Sequence, residues 1–468
     1  MMTLAFSRYL NGARGVLRDI VSELGGTFSY VSVLGTDVRS LVVRANKNMS
    51  SVTEGRGECG FVVKLHDGKS FFEYSFDELP DDVASLCKKI IDSTKIPSSL
   101  ADLSISAEAV ADLPAREDFE RTNDFSGYSD SELLSVCSEI SEETVSRDKR
   151  VLNATAIIAT YETSKLFISK NRELSQNYGW ANGILEVVFK DEKTVVASKY
   201  AYSDKMSEII SQMRELVGPV LDLAGHLTRA TPIKPGVYDV ITDSSISGLI
   251  AHEAFGHGVE MDQFVKERAL ATKYVGKPVA SDLTNMRDGA AATVSAASYF
   301  FDDDGVIAGN TQIIKNGILV AGLSDLASAA QLGTQPTGNG RRESYKRKAY
   351  SRMTNTFFEG GDSTLEEMIA SIEHGYMLFD TNNGMEDPKN WQIQCTAEYG
   401  IEIENGKLTD RYVSPVVMSG YVPDLLASIS MVSRDARVIG VGSCGKGYKE
   451  WVRVSDGGPN LKVKVKLG

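Results

Sequence analysis

His252-Glu253-Ala254-Phe255-Gly256-His257-Gly258-Val259-Glu260 is the stretch on which the reading of this chain turns. It sets two imidazoles and a carboxylate within its first six residues, in a chain of 468 residues with only five histidines. Just before it, Val237-Tyr238-Asp239-Val240-Ile241 reads as a buried strand, and Asp243, Ser244 or Ser245 can cap a following helix. After it the pattern turns β-rich. Residues 313–320 and 401–408 each break at Asn-Gly, the signal of a two-residue hairpin. One further helix is predicted behind a capping box, Ser363 to Glu366 or Thr364 to Glu367. The motif therefore sits on a helix inside a β-rich domain.

Zinc peptidases commonly space such histidines four apart, which on an α-helix leaves them about 40° from one another on one face. Here the spacing is five, or about 140° and roughly 7.5 Å of rise on an ideal helix. Two rings so placed do not easily chelate one ion. The segment is expected either to widen locally or to end before His257. Gly256 and Gly258 tolerate such backbone, and inserted-residue bulges of the π type recur at functional sites. The competing reading is a buried helix whose histidines merely satisfy hydrogen bonds.

Two imidazoles suit zinc, but a catalytic zinc normally takes three protein ligands and keeps a fourth position for water. Glu260 and Asp262 are local candidates for the third; His374 and the cysteines are distant ones. Cys444 stands out because Gly440-Val441-Gly442-Ser443-Cys444-Gly445-Lys446-Gly447 puts its thiol on bare, glycine-rich backbone. That run is no phosphate loop, since the spacing is wrong and Tyr448 is no magnesium ligand. Ser443 likewise fails the G-x-S-x-G elbow. These residues support a metal-dependent hydrolase, in particular a peptidase. A metal-stabilised, noncatalytic subunit of a peptide-processing complex is the alternative; Glu253 argues against it, because a closed structural site has no use for an unligated carboxylate.

Working outward, the expected fold class is α+β: N-terminal α/β domains followed by a β-rich C-terminal domain with the motif on a helix. Thr231-Pro232-Ile233-Lys234-Pro235-Gly236 marks the main boundary. Residues 1–95 read as one α/β unit, 96–230 as a second with an acidic connector, and 231–468 as the β-rich domain. His66 falls in a predicted hairpin turn, as a solvated loop residue. Between Asp102 and Glu143 there are twelve acidic residues and only Arg116 and Arg121 as basic ones. That segment reads as a solvated acidic face or connector.

The net charge of −13 disfavours direct nucleic-acid binding, because an acidic surface repels phosphate backbones. No apolar run is long enough to span a membrane, and the N-terminus lacks the pattern of a signal peptide. Five scattered cysteines without a CxxC pair point to reduced thiols and a cytoplasmic location.

The motif stretch, Pro336-Thr337-Gly338-Asn339-Gly340-Arg341-Arg342-Glu343-Ser344-Tyr345, Arg352-Met353-Thr354-Asn355-Thr356 and Cys444-Gly445-Lys446 resemble, in this order, the TldD/PmbA family, and specifically its TldD-type active branch. The resemblance covers roughly residues 235–450. It implies a zinc peptidase of the HExxxH type with one Zn2+ per active site. His252, His257 and Cys444 would be the ligands and Glu253 the catalytic carboxylate acting as general base. It implies unstructured peptide substrates, including leader and antitoxin segments, and a homodimer or a heterodimer with a PmbA-like subunit that lacks the metal motif. Asn339, Arg341, Arg342, Tyr345 and Asn355 are candidate substrate-binding residues, with loop or dimer contacts as their alternative role. Two departures bear on substrate preference: Met261-Asp262 replaces the family's Gly-Asp, and Gly447-Tyr448-Lys449-Glu450-Trp451 does not follow its usual Gly-Gln continuation.

Overall fold

The computed structural model describes residues 5–95, 115–121, 123–125 and 127–468. The acidic connector therefore lies partly outside the described residues; the rest of that segment contains the strand Ala115–Glu120 and most of the helix Asp130–Arg147. The architecture is mixed α and β with a β-rich C-terminal part.

A seven-stranded sheet fills the N-terminal half. Its order is Phe71–Phe76, Met49–His66, Tyr30–Asn46, Val151–Ser169, Arg172–Lys190 and Ala115–Glu120, with Thr194–Ser203 also paired to Arg172–Lys190. Strands on either side of residue 95 share this sheet, since Tyr30–Asn46 pairs antiparallel with Val151–Ser169 from Ser32–Ser169 to Ala45–Ala156. The strands are long enough to carry two cores. At one end the helix Arg8–Leu24 buries Leu10, Leu17, Ile20 and Leu24 against Val33, Phe61, Val63 and Leu166. At the other, the helices Asp130–Arg147, Met206–Glu215 and Val217–Arg229 cover Val43, Ala156, Leu185 and Val187. His66 departs from the sequence expectation: it is only 1% exposed, its Nδ1 lies 3.1 Å from the Ser29 hydroxyl, and its ring packs 4.7 Å from Phe71. The turn is where the sequence put it, but His66 ends the strand and faces inward.

The C-terminal part begins at Gly236–Thr242 and holds a barrel, a six-stranded sheet and the short antiparallel pair Gly340–Arg341 with Tyr350–Ser351. The strands His374–Asp387, Gly236–Thr242, Leu461–Leu467, Val416–Tyr421 and Gln392–Glu404 close into a barrel, because the first and last also pair with each other. Both Asn-Gly turns form as expected, with φ of 47° and 77° at Asn316-Gly317 and 49° and 74° at Asn405-Gly406. Thr364 and Glu367 form the capping box. A separate six-stranded sheet ends in the antiparallel pair Glu450–Gly458 and Arg437–Lys446, the latter at its edge. The motif helix lies between barrel and sheet. Among the described residues no helix is long and apolar enough to cross a membrane.

Buried ion pairs fasten the two halves together. Lys64 meets Asp304, Lys165 meets Asp303, and Glu73 accepts from Arg342 at 3.1 and 3.2 Å and lies 3.3 Å from Lys64. Burial alone would push the Glu73 carboxyl up; the Arg342 and Lys64 charges outweigh it and hold it at about 2. A carboxyl depressed in the fold stabilises it above its unfolded pKa, and the stabilisation disappears as pH falls through the folded value. We expect stability to drop by about 1–2 kcal/mol between pH 4.5 and pH 2 from this group, less than the full shift because Glu73 lies on the edge strand and solvent screens its pairs. Urea unfolding across that range measures it; a Glu73→Gln variant whose stability keeps the full wild-type pH slope would refute the assignment.

Candidate metal centre

Asp243 starts the site. Its carboxylate accepts from the Ile246 N–H at 2.8 Å and caps the helix Ser244–Leu249. The helix then widens into a π turn, Ile250–Gly256, and tightens into a 3-10 turn, His257–Val259. Both expected devices are thus present. A π turn closes its ring over five residues, which brings His252 and His257 to one side despite their spacing. Their ring centroids lie 5.2 Å apart at an interplanar angle of 90°. Gly256 keeps an ordinary helical φ of −62°; its lack of a side chain serves packing, since a Cβ there would sit 2.1 Å from Met353 Sδ.

Cys444 arrives from the edge strand of the six-stranded sheet. Its Sγ is 3.6 Å from His257 Nε2, and the donor atoms of His252, His257 and Cys444 all lie within 4.8 Å of one another. Arg352, fully buried, donates to the Cys444 carbonyl at 2.7 Å and to that of Glu450 at 3.1 Å, which fixes this strand. Burial resists charge on the imidazoles, yet the neighbouring thiolate prevails, lifting His252 to about 9 and His257 well above its ordinary value. Burial would likewise raise the Cys444 thiol, but the two imidazoles hold it well below the thiol range. His252 Nδ1 is buried without a hydrogen-bond partner. Two imidazoles and a thiolate, largely buried and converging, are a donor set that suits a borderline-soft divalent ion such as zinc.

Glu253 sits beside this cluster, with Oε1 3.9 Å from His252 Nε2 and Oε2 3.7 Å from His257 Nε2. It lines an open cleft of about 780 Å3 with His257, Met385, Glu386, Lys446 and Trp451. Gly384, on the barrel hairpin, lets Glu253 pack close; a Cβ there would meet Glu253 Cγ at 2.6 Å.

The local carboxylates do not join the donors. Glu260 Oε2 lies 3.1 Å from His257 Nδ1 and accepts from Lys446 Nζ at 2.9 Å, while Asp262 accepts from Lys446 at 2.6 Å and from Lys266 at 3.0 Å. Burial opposes charge on Glu260, but Lys446 and His257 hold its carboxyl well below the usual range. His374 is exposed on the barrel, grouped with Glu402 and Glu404. Sequence reasoning also missed Glu386, half-buried on the cleft wall, accepting from the Gly258 N–H at 3.0 Å and pushed well up by the desolvation of its carboxyl. Asp456, raised by burial to about 6 with His252 and Glu253 among its charged neighbours, was missed too. Each is a single acid in a strand or hairpin, with no spacing to mark it.

The five polar loop residues are not brought to the cluster. Asn339 donates to Asp288 and the Arg352 carbonyl, and Asn355 to the Gly289 carbonyl and Ser298 Oγ. Arg341 donates to the Met353 and Arg453 carbonyls, and Arg342 to Glu73. Tyr345 donates to Asp77 through its hydroxyl and to Glu58 through its backbone N–H. Their polar groups hold loops to one another and to the N-terminal sheet.

A metal-type donor cluster on a broken helix, walled by a β-barrel hairpin, defines the class of protein this is. Residues 235–467 match the family described as PmbA/TldA metallopeptidase C-terminal domain, and the chain belongs to the PmbA/TldD family. Among curated relatives, a Metalloprotease of Methanothermobacter thermautotrophicus is 31% identical over 242 residues, 52% of each chain. The Zinc metalloprotease TldD homolog of Saccharolobus solfataricus is 32% identical over 58% of this chain and 63% of that one. The Metalloprotease TldD homolog of Haemophilus influenzae is 34% identical over 49% and 47%. The chain spans about half the length of the first relatives it matches, 52% and 51%. In fold it is similar to a Thermotoga maritima protein described as a candidate modulator of a DNA gyrase, with TM-score 0.78, 17% identity and coverage of 97% and 100%. It is also similar in fold to TldE from Thermococcus kodakarensis, with TM-score 0.75, 19% identity and the same coverage, 97% and 100%.

Proposed function

We propose that this chain is a zinc-dependent peptidase of unstructured peptides, including leader and antitoxin-like segments. The observation that carries the reading is the convergence of His252, His257 and Cys444 beside Glu253 at the floor of an open cleft. The three donors would hold one zinc ion, which when bound acidifies water and polarises a peptide carbonyl. Glu253 takes the proton of the attacking water on a carboxylate oxygen and passes it to the nitrogen of the departing amine. Glu260 orients His257 through Nδ1, the outer-shell carboxylate common to metal-ligating histidines. The cleft lies open between the barrel hairpin and an edge strand, whose free side supports the reading of an extended chain as substrate. A second copy, or a TldE-type subunit without the metal motif, is the partner we propose, in keeping with the shared fold. Five free thiols fit a cytoplasmic site of action.

The test is metal content together with cleavage of a disordered peptide library, with and without chelator. Zinc near one per chain with chelator-sensitive cleavage supports the reading; cleavage that survives complete metal removal rejects it. Cys444→Ser is expected to lose most of its zinc on dialysis, because a hydroxyl is a poor substitute for a thiolate. An unchanged zinc content would reject Cys444 as a ligand.

A further inference from the structure

Trp451 lines both the metal cleft and a second cavity, of about 180 Å3. It stands directly across from Gly445, next to the Cys444–Val452 pair. Gly445 has no side chain to intervene: a Cβ there would lie 3.3 Å from the indole. The ring thus rests on bare backbone one residue from Cys444, and Trp451 stays 51% exposed. It belongs to the segment 447–451 that departs from the family's usual continuation.

Six of the residues lining the second cavity are aromatic: Tyr161, Tyr178, Trp180, Tyr299, Phe301 and Trp451. Tyr161 and Trp180 stack at 4.1 Å, and the Arg453 guanidinium covers Trp180 at 3.8 Å from the ring centroid, so the exposed Trp451 is the ring left to meet a guest. The charges around it are engaged within the protein: Lys165 with Asp303, Arg342 with Glu73, Arg341 with two backbone carbonyls, Arg453 with the Gly440 carbonyl, and Asp302 with the Gly340 N–H. Glu58 accepts from the Tyr345 N–H and Glu343 from the Trp451 N–H. Neither sign of charge is therefore well placed to claim a guest, and the ring faces decide. For scale, an apolar cavity of about 150 Å3 holds a benzene molecule.

We propose that this cavity is a side-chain subsite for an aromatic residue of the peptide substrate, on the Trp451 side of the metal cleft, since Trp451 lines both spaces and is paired one residue from Cys444. The inference rests on the peptidase reading for the word substrate, but the binding itself is testable alone. Zinc-loaded Glu253→Gln protein is titrated by calorimetry with disordered, end-blocked peptides identical except for one position, carrying Phe, Tyr, Ala, Lys or Glu. The Phe and Tyr peptides are expected to bind about tenfold more tightly than the Ala peptide. That preference should fall to about unity in Trp451→Ala, at a half-exposed site that tolerates the change, and in Tyr161→Leu. Equal binding of Phe and Ala peptides, tightest binding of Lys or Glu peptides, or a preference untouched by both substitutions overturns the subsite. Hydrolysis by the wild-type protein is followed on the same peptides. Aromatic-selective binding without any hydrolysis overturns the peptidase reading and keeps the subsite; hydrolysis without aromatic preference does the reverse.

Discussion

Glu253→Gln is expected to give a folded protein that binds the proposed zinc as the wild type does and hydrolyses peptides more slowly by a factor on the order of 10³. The prediction follows from what the carboxylate touches. Its two oxygens lie 3.9 and 3.7 Å from the Nε2 atoms of His252 and His257. Its side chain is 19% exposed, so one edge reaches the cleft while the stem packs against Gly384. Glutamine keeps the volume and the stem contact, so neither the π turn nor the donor cluster has cause to move. It cannot accept the water proton. The metal content of the variant and its turnover on a disordered peptide separate the two effects. Turnover at the wild-type rate would remove Glu253 from the chemistry; loss of zinc along with turnover would make it a supporting residue for the donors instead.

Much of this site was legible because the motif contains its own contradiction. Histidines five apart cannot face one ion from an α-helix, so the sequence itself demanded a backbone irregularity between Ile250 and Val259, and a π turn followed by a 3-10 turn is what the chain adopts. The strand before the motif and both Asn-Gly hairpins were legible for a similar reason, since each is set by residues adjacent in sequence. What was hidden is set by partners far away. Reading residues 1–95 as one α/β unit says nothing of the pairing of Tyr30–Asn46 with Val151–Ser169, which carries one sheet past residue 95. Arg341, Arg342 and Asn355 look like recognition groups in a polar loop; their actual neighbours are Asp303, Glu73 and backbone carbonyls brought in from elsewhere in the fold. Lys446 stood in a quoted motif without a role, because the two acids it meets lie 186 and 184 residues earlier.

That lysine yields the second large effect. Lys446 Nζ donates to Glu260 at 2.9 Å, to Asp262 at 2.6 Å and to the Ser351 carbonyl at 2.9 Å, and its side chain is 9% exposed. Glu260 is only 1% exposed and in turn meets His257 Nδ1. The charge on Glu260 is therefore kept in place chiefly by one cation on the same strand as Cys444. Lys446→Met removes that cation while roughly filling its volume, leaving Glu260 ion-paired with His257 alone and Asp262 with Lys266 alone. Breaking one partner out of a buried ion pair costs about 3–5 kcal/mol, and loss of an outer-shell contact to a metal-bound histidine costs about 10–100-fold in metal affinity. We expect a urea midpoint lowered accordingly and zinc that yields to a weaker chelator than the wild type requires. Adding Asp262→Asn to Lys446→Met should restore part of the stability, since it removes one of the two charges that lost the lysine, but not the zinc affinity, since Asp262 does not touch His257. A Lys446→Met protein with wild-type stability and wild-type zinc affinity would show that the helix and the cysteine strand are held together by packing alone, and that Glu260 needs no counter-ion to orient its histidine.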